Sequence, residues 1–316
     1  MFVLGFDIGG TKCAVILAEI KDGGIKIIGK EKTATDLNVA PEKMIEKLCL
    51  AADELTDGRE ISGIGVSCGG PLDSTRGIIL SPPNLPGWDE VHIKDILEER
   101  YKVKVNVQND ANACAVAEWK WGAGRGCRNM IFLTFGTGLG GGLILDGKLY
   151  SGTNDMAGET GHIRVADDGP TGYGKAGSFE GFCSGGGIAR LAYAKALEMA
   201  KDGDCPAYYK DGMKQEDITA KTVSDAARAG DETALEVYRI CGEHLGGGLS
   251  LLIDLLNPEK IVIGSIFARA HDLLWEPCKK VLEAETLPIS LGVCEVVPAA
   301  LGEEIGDYAA VSTALL

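Results

Sequence analysis

The chain has 316 residues, 45% of them hydrophobic, enough for two substantial domains. A formal net charge of −15 argues against a nucleic-acid partner, which needs clustered Lys and Arg, but leaves a small nucleotide open, since local N–H groups and a cation can hold one. Met1 leads straight into a strand with no signal peptide, and no apolar run reaches the ~18 residues of a membrane span, so neither export nor a membrane partner is expected. Ten cysteines form no Cys-x-x-Cys pair, and most stand in apolar surroundings. Free thiols in a reducing cytoplasm fit this better than a disulfide framework or a metal cage.

Phe2 to Leu17 reads as two apolar strands joined by Gly9-Gly10-Thr11-Lys12, with Asp7 ending the first strand. Such a turn either lets backbone N–H groups approach a phosphate or simply reverses the chain. On the first reading Asp7 sits where a phosphate-bound magnesium is held through water. A third strand is expected over Gly24 to Lys30, and a helix over Pro41 to Ala52 that buries Met44, Ile45, Leu48 and Cys49. Ile61 to Ser67 reads as a buried strand ending in Cys68-Gly69-Gly70-Pro71. Ser81 to Trp88 is a proline-fixed loop in which Asn84 either meets a polyol such as a sugar or serves a turn. Val103 to Val107 is a strand with Asn109-Asp110 at its carboxyl end, followed by a helix from Ala111 to Trp119. Ligands of α/β sheets bind at such ends. An ionised Asp110 there suits proton acceptance from a hydroxyl that attacks a phosphate, or is only a helix cap.

Trp121 to Gly126 reads as a hinge into the second half. Ile131 to Leu145 then repeats the glycine hairpin around Gly136-Thr137-Gly138-Leu139-Gly140-Gly141-Gly142, and Asp146-Gly147 signals a further turn. Two such hairpins, each opening one half of the chain, suggest duplicated domains with a cleft between them that grips a nucleotide triphosphate. Gly158-Glu159-Thr160-Gly161-His162 and Ser178-Phe179-Glu180 offer partners for sugar hydroxyls, metal ligands, or a turn with a solvated Glu. No Cys or second His stands at ligand spacing to make a metal site of them. Pro206 to Glu216 looks like an insertion or a mobile segment. Asp231 to Leu256 is a helical pattern interrupted by Gly246-Gly247-Gly248, which either admits an adenine or ribose or allows tight packing. Lys260 to Ile263 is a strand, and Ile305 to Leu316 a closing helix.

In order and spacing these stretches resemble ROK proteins (repressors, open reading frames, sugar kinases), the glucokinase and N-acetylhexosamine kinase group included, within the actin-like ATPase superfamily. The likeness rests on Asp7 to Lys12, Pro83 to Trp88, Asn109 to Asn112, Gly136 to Gly138 and Gly158 to His162, and covers nearly the whole chain. It implies an α/β, two-lobed ribonuclease H-like fold of duplicated domains. The expected small lobe is 1–118, with the closing helix 305–316 packed on it, and the expected large lobe is 119–304.

The resemblance also implies ATP- and magnesium-dependent transfer to the 6-hydroxyl of a free hexose, and a homodimer. Asp110 would be the base. Gly70, Asn84, Asn109, Glu159, His162 and Glu180 would surround the sugar. Asp7, Gly9, Gly10, Thr11 and Lys12 would lie near the metal and phosphates, Gly136, Thr137 and Gly138 would meet the phosphates, and Gly246, Gly247 and Gly248 the adenosine. Many relatives bind zinc through a His and a cysteine-rich run. Here its three cysteine positions are Thr171, Tyr173 and Ser178, so no structural zinc is expected. Gly264-Ser265 also departs from a more glycine-rich family pattern. The sugar itself is open: glucose is the first choice and N-acetylmannosamine the second. The competing class is a non-catalytic sugar sensor or a regulator without its DNA-binding segment.

Overall fold

The first apolar run folds as β1 (Phe2–Ile8), paired antiparallel with β2 (Lys12–Lys21) in a computed structural model that describes residues 1–316. β3 (Gly24–Ala34) extends this meander beyond the expected Lys30. α1 (Pro41–Thr56) begins with Pro41 in its first turn and buries the four expected apolar residues together with Ala52. β4 (Ile61–Cys68) lies parallel to β1 and is buried along its last six residues, as a strand covered on both faces should be. After the two-residue strands β5 (Leu72–Asp73) and β6 (Ile78–Ile79) come α2 (Ile93–Tyr101), β7 (Val105–Asn109) and α3 (Asp110–Trp121). β7 pairs parallel with β4, so the sheet order is β3-β2-β1-β4-β7.

The second half repeats the scheme. β8 (Met130–Leu133) runs into the second glycine loop, and β9 (Gly141–Leu145) forms an antiparallel hairpin with β10 (Lys148–Tyr150). The short pair β11 (Thr171–Gly172) and β12 (Lys175–Ala176) precedes α4 (Phe179–Phe182), α5 (Gly185–Ala200) and α6 (Ala220–Arg228). α7 (Glu232–Leu256) is one continuous helix, capped at its start by the Asp231 side chain and not interrupted at its three glycines. β13 (Lys260–Ile263), α8 (Ile266–Arg269), α9 (His271–Glu285), α10 (Pro288–Leu291), β14 (Glu295–Pro298) and α11 (Ile305–Thr313) complete the chain. β13 is parallel to both β8 and β14. The fold is α/β.

The chain divides into two compact units: 1–128, 142–158 and 300–316 in the first, 129–141 and 159–299 in the second. Residues 118/119, the expected boundary, fall inside α3, and the chain leaves the first unit ten residues later, after Arg128. In the first unit one sheet face carries Leu4, Phe6, Val15 and Leu17 into a core with Met44 and Leu48 of α1. On the other face Val3 and Ile16 pack against Ala310 and Val311 of α11. Gly65 permits this, because a Cβ there would stand 2.1 Å from the Ala310 carbonyl oxygen. In the second unit α7 and α9 pack along one another, and α7 buries Val237, Cys241, Leu245, Leu249 and Ile253.

Candidate active site

The carboxyl ends of β1, β4 and β7 bring the first unit's polar residues together. At the β1–β2 turn the Gly9 N–H donates to the Lys12 carbonyl at 3.2 Å, so this N–H closes the turn and is not offered to a phosphate. The Thr35 hydroxyl donates to the Gly9 carbonyl at 2.6 Å and pins the loop from β3. Thr11 and Lys12 are exposed. A Cβ on Gly10 would stand 2.1 Å from the Asn84 carbonyl oxygen, so the proline-rich loop rests directly on the glycine turn. The Asn84 side chain lies against Gly69, 3.2 Å from where a Cβ would be, and the Asn109 amide lies 3.0 Å from the same point on Gly70.

Asn109 is the N-cap of α3, its Oδ1 accepting from the Ala111 N–H at 2.9 Å. Asp110 is therefore the first helical residue rather than the cap, although its Oδ1 also accepts from that N–H at 2.8 Å. Asp110 is exposed by area, so the desolvation that raises its carboxyl comes from the protein packed around it rather than from sealing against water, and the Ala111 N–H pulls it back down. Asp7 is half-buried and pushed up to about 6, first by burial and then by the charges of Asp307 and Asp110, with Lys30 and Lys12 opposing. Lys30 forms an ion pair with Asp307 at the start of α11. Neither Lys30 nor Asp307 stands out in the sequence; the run of acids before the closing helix is the only local signal. Asp7, Asp110 and Asp307 together are three carboxylates against Lys30 and Lys12, and this surplus negative charge suits a divalent cation held through water.

In the second unit the glycine loop is closed by the Thr134 N–H donating to the Gly140 carbonyl and the Gly136 N–H to the Gly138 carbonyl, both at 2.9 Å. Glu180 Oε2 accepts from the Leu139 N–H at 3.0 Å, and a Cβ on Gly138 would stand 2.6 Å from that oxygen. One oxygen of Glu180 thus fastens the loop. Glu159 holds the N-cap position of a short 3-10 turn at Thr160–His162 that His162 ends, and both side chains are exposed.

The loop that runs from Thr171 to Ser178 is held by hydrogen bonds at its end. Ser178 is buried; its hydroxyl caps α4 by accepting from the Gly181 N–H at 3.1 Å and donates to the Gly172 carbonyl at 3.3 Å. Lys175 Nζ donates to the His162 carbonyl at 2.7 Å, and the Phe179 N–H to the Ile163 carbonyl at 2.8 Å. The Tyr173 ring meets His162 edge-on at 6.4 Å.

Gly136 and Thr137 line a pocket of about 780 Å³ in the second unit, with Ser224, Tyr238 and Ser265 among its other walls. Gln215 and Glu216, from the segment read as an insertion, also line it, so that segment is part of a cavity wall. Gly246, Gly247 and Gly248 do not line it. A Cβ on Gly246 would meet the Cys278 carbonyl oxygen of α9 at 2.5 Å, and one on Gly248 the Phe179 ring at 2.4 Å. Protein already fills the space beside these two, which matches the tight-packing alternative for them. Gly247 faces open space on a different pocket, beside His244 and Ser250.

Residues 3–314 match the ROK family, and the chain belongs to that family. It is 36% identical to a glucokinase of Halalkalibacterium halodurans over 96% of this chain and 92% of that protein. It is 33% identical to a glucokinase of Thermotoga maritima over 98% and 96% of the two. A ROK family glucokinase from Streptomyces griseus, solved in complex with glucose and AMPPNP, superposes with a TM-score of 0.76 at 32% identity, covering 100% of this chain and 99% of that one. The fold is therefore that of the actin-like ATPase superfamily.

Proposed function

We propose that this chain transfers the γ-phosphoryl group of ATP to the 6-hydroxyl of free glucose, with N-acetylmannosamine the second choice of acceptor. That it is an ATP-dependent sugar kinase follows from family membership and from nearly full-length similarity to proteins named glucokinases. The observation that carries the site is the convergence of Asn84, Asn109 and Asp110 with Gly69 and Gly70 beside Asp7 in the first unit.

Asn84 and Asn109 supply paired donors and acceptors that suit sugar hydroxyls. Asp110 accepts the proton of the attacking hydroxyl, and its raised carboxyl makes it a better base near neutral pH. Asp7 would hold magnesium through water, and the metal would neutralise charge on the β- and γ-phosphates. Lys12 is exposed at the same turn and adds positive charge beside the phosphates. In the second unit, Gly136 and Thr137 in the 780 Å³ pocket are the residues assigned to the nucleotide. Glu159 and His162 are assigned to the sugar, with the remaining oxygen of Glu180.

A coupled ADP-release assay over a panel of hexoses tests this reading: glucose should give the highest kcat/KM. Tight binding of a sugar with no ADP release would make the chain a sensor instead. A cytoplasmic location rests on ten free cysteines. A homodimer is carried from the family, and light scattering on the purified chain checks it.

A further inference from the structure

Glu118 is the one fully buried carboxylate of the chain, at 0% exposure. It lies roughly two turns along α3 from Asp110. No Lys or Arg forms an ion pair with it. Its partners are backbone N–H groups: Ala123 at 2.7 Å and Ala300 at 3.2 Å on Oε2, and Leu301 at 2.9 Å on Oε1. Ala300 and Leu301 lead into α11, which carries Asp307. The two helices thus joined bear Asp110 and Asp307, whose charges both act on Asp7. Gly122 supplies a second, independent observation, because a Cβ there would stand 2.0 Å from Glu118 Oε2. The residue at 122 is the one that leaves room for the carboxylate to reach its three donors.

A buried charge is a poor way to gain stability, since apolar side chains of similar volume commonly do as well or better. What a carboxylate offers is several acceptor sites in a fixed plane. We propose that Glu118 is a positioning residue: by binding the backbone at Ala123, Ala300 and Leu301 it sets α3 against α11 and so fixes how Asp110 and Asp307 are placed about Asp7. The inference rests on the assignment of Asp110 as base.

The test uses the full chain with Glu118→Gln, Gly122→Ala and the double variant. Leu48→Ala in the α1 core serves as a control for lost stability. Gln keeps the shape but turns a donor toward N–H groups, and the methyl added by Gly122→Ala pushes the carboxylate off its partners. Either single change should lower kcat by about tenfold or more while the KM values for glucose and ATP stay within about threefold. The double variant should be no slower than the worse single, because both break one clasp. Hydrogen exchange at residues 300–301 should quicken in each. Leu48→Ala, compared at a matched fall in Tm, should keep kcat within about twofold.

Faster exchange with kcat unchanged in Glu118→Gln overturns the inference, and so does an equal loss of kcat in Leu48→Ala. If Glu118→Gln does not fold, Gly122→Ala decides alone. A wild-type chain that turns over no hexose removes the kinase reading and this inference with it. Wild-type turnover with unaffected variants removes only the inference.

Discussion

Asp7 and Asp110 stand at the carboxyl ends of β1 and β7, on either side of β4, and burial raises both carboxyls. Asp110 is exposed and bonded to one N–H, and the base role is the one proposed for it. Asp110→Asn should leave the glucose Kd by calorimetry within about threefold and lower kcat by at least about a hundredfold, since only the proton acceptor is lost. Full turnover in that variant would remove Asp110 as base. Asp7 holds its proton more tightly in the folded chain, at about 6, than an ordinary carboxylate at 3.8. Its ionisation therefore opposes folding. On this account stability is highest below 3.8 and falls as pH rises through about 6. Without divalent cation, Asp7→Asn should melt higher than wild type at pH 7.5, by at most about 3 kcal/mol, and lose that advantage at pH 4. Melting curves in EDTA at the two pH values check the sign. The same variant should lose phosphoryl transfer.

Within the elements, α7 separates packing from ligand contact. Gly246→Ala and Gly248→Ala should each cost about 1–3 kcal/mol, because the new methyl meets the α9 backbone or the Phe179 ring. Gly247→Ala has open space and should be neutral or stabilising by roughly 1 kcal/mol, the usual gain of Ala over Gly inside a helix. Thermal unfolding measures all three. An ATP KM raised by Gly247→Ala alone would return the adenosine to this helix. The segment with Thr171, Tyr173 and Ser178 is held by a cap and by backbone bonds. Ser178→Ala should cost about 1 kcal/mol through loss of the α4 cap. A zinc-selective chelator should leave the wild-type Tm unchanged, and stoichiometric zinc in elemental analysis would contradict this account of the loop.

At the scale of the molecule, Cys205 is exposed, Cys114, Cys127 and Cys294 are half-buried, and the other six cysteines are buried. Burial pushes the Cys13, Cys49 and Cys114 thiols up, which keeps them from the reactive thiolate form. A thiol reagent should modify Cys205 rapidly in the native chain and all ten cysteines after denaturation without reductant. Fewer than ten would reveal a disulfide. No helix is long and apolar enough to cross a membrane.

The sequence by itself determined the two glycine hairpins, the strand that delivers Asn109 and Asp110, the start of α1 at Pro41 and the extent of β13, because turn chemistry and hydrophobic period act over a few neighbouring residues. It also placed Asp7, Asn84 and Asp110 at strand ends or in rigid loops, where polar groups are free to meet a ligand. What faces them depends on segments far away in the chain. Asp307 reaches Asp7 from the far end of the chain, Glu118 gathers the N–H groups of Ala300 and Leu301, and Phe179 fills the space at Gly248. Periodicity marks which face of an element is apolar but not its partner. That choice belongs to the close packing of distant segments, where a neighbour's ring or carbonyl decides whether a glycine opens onto a ligand or onto the protein itself.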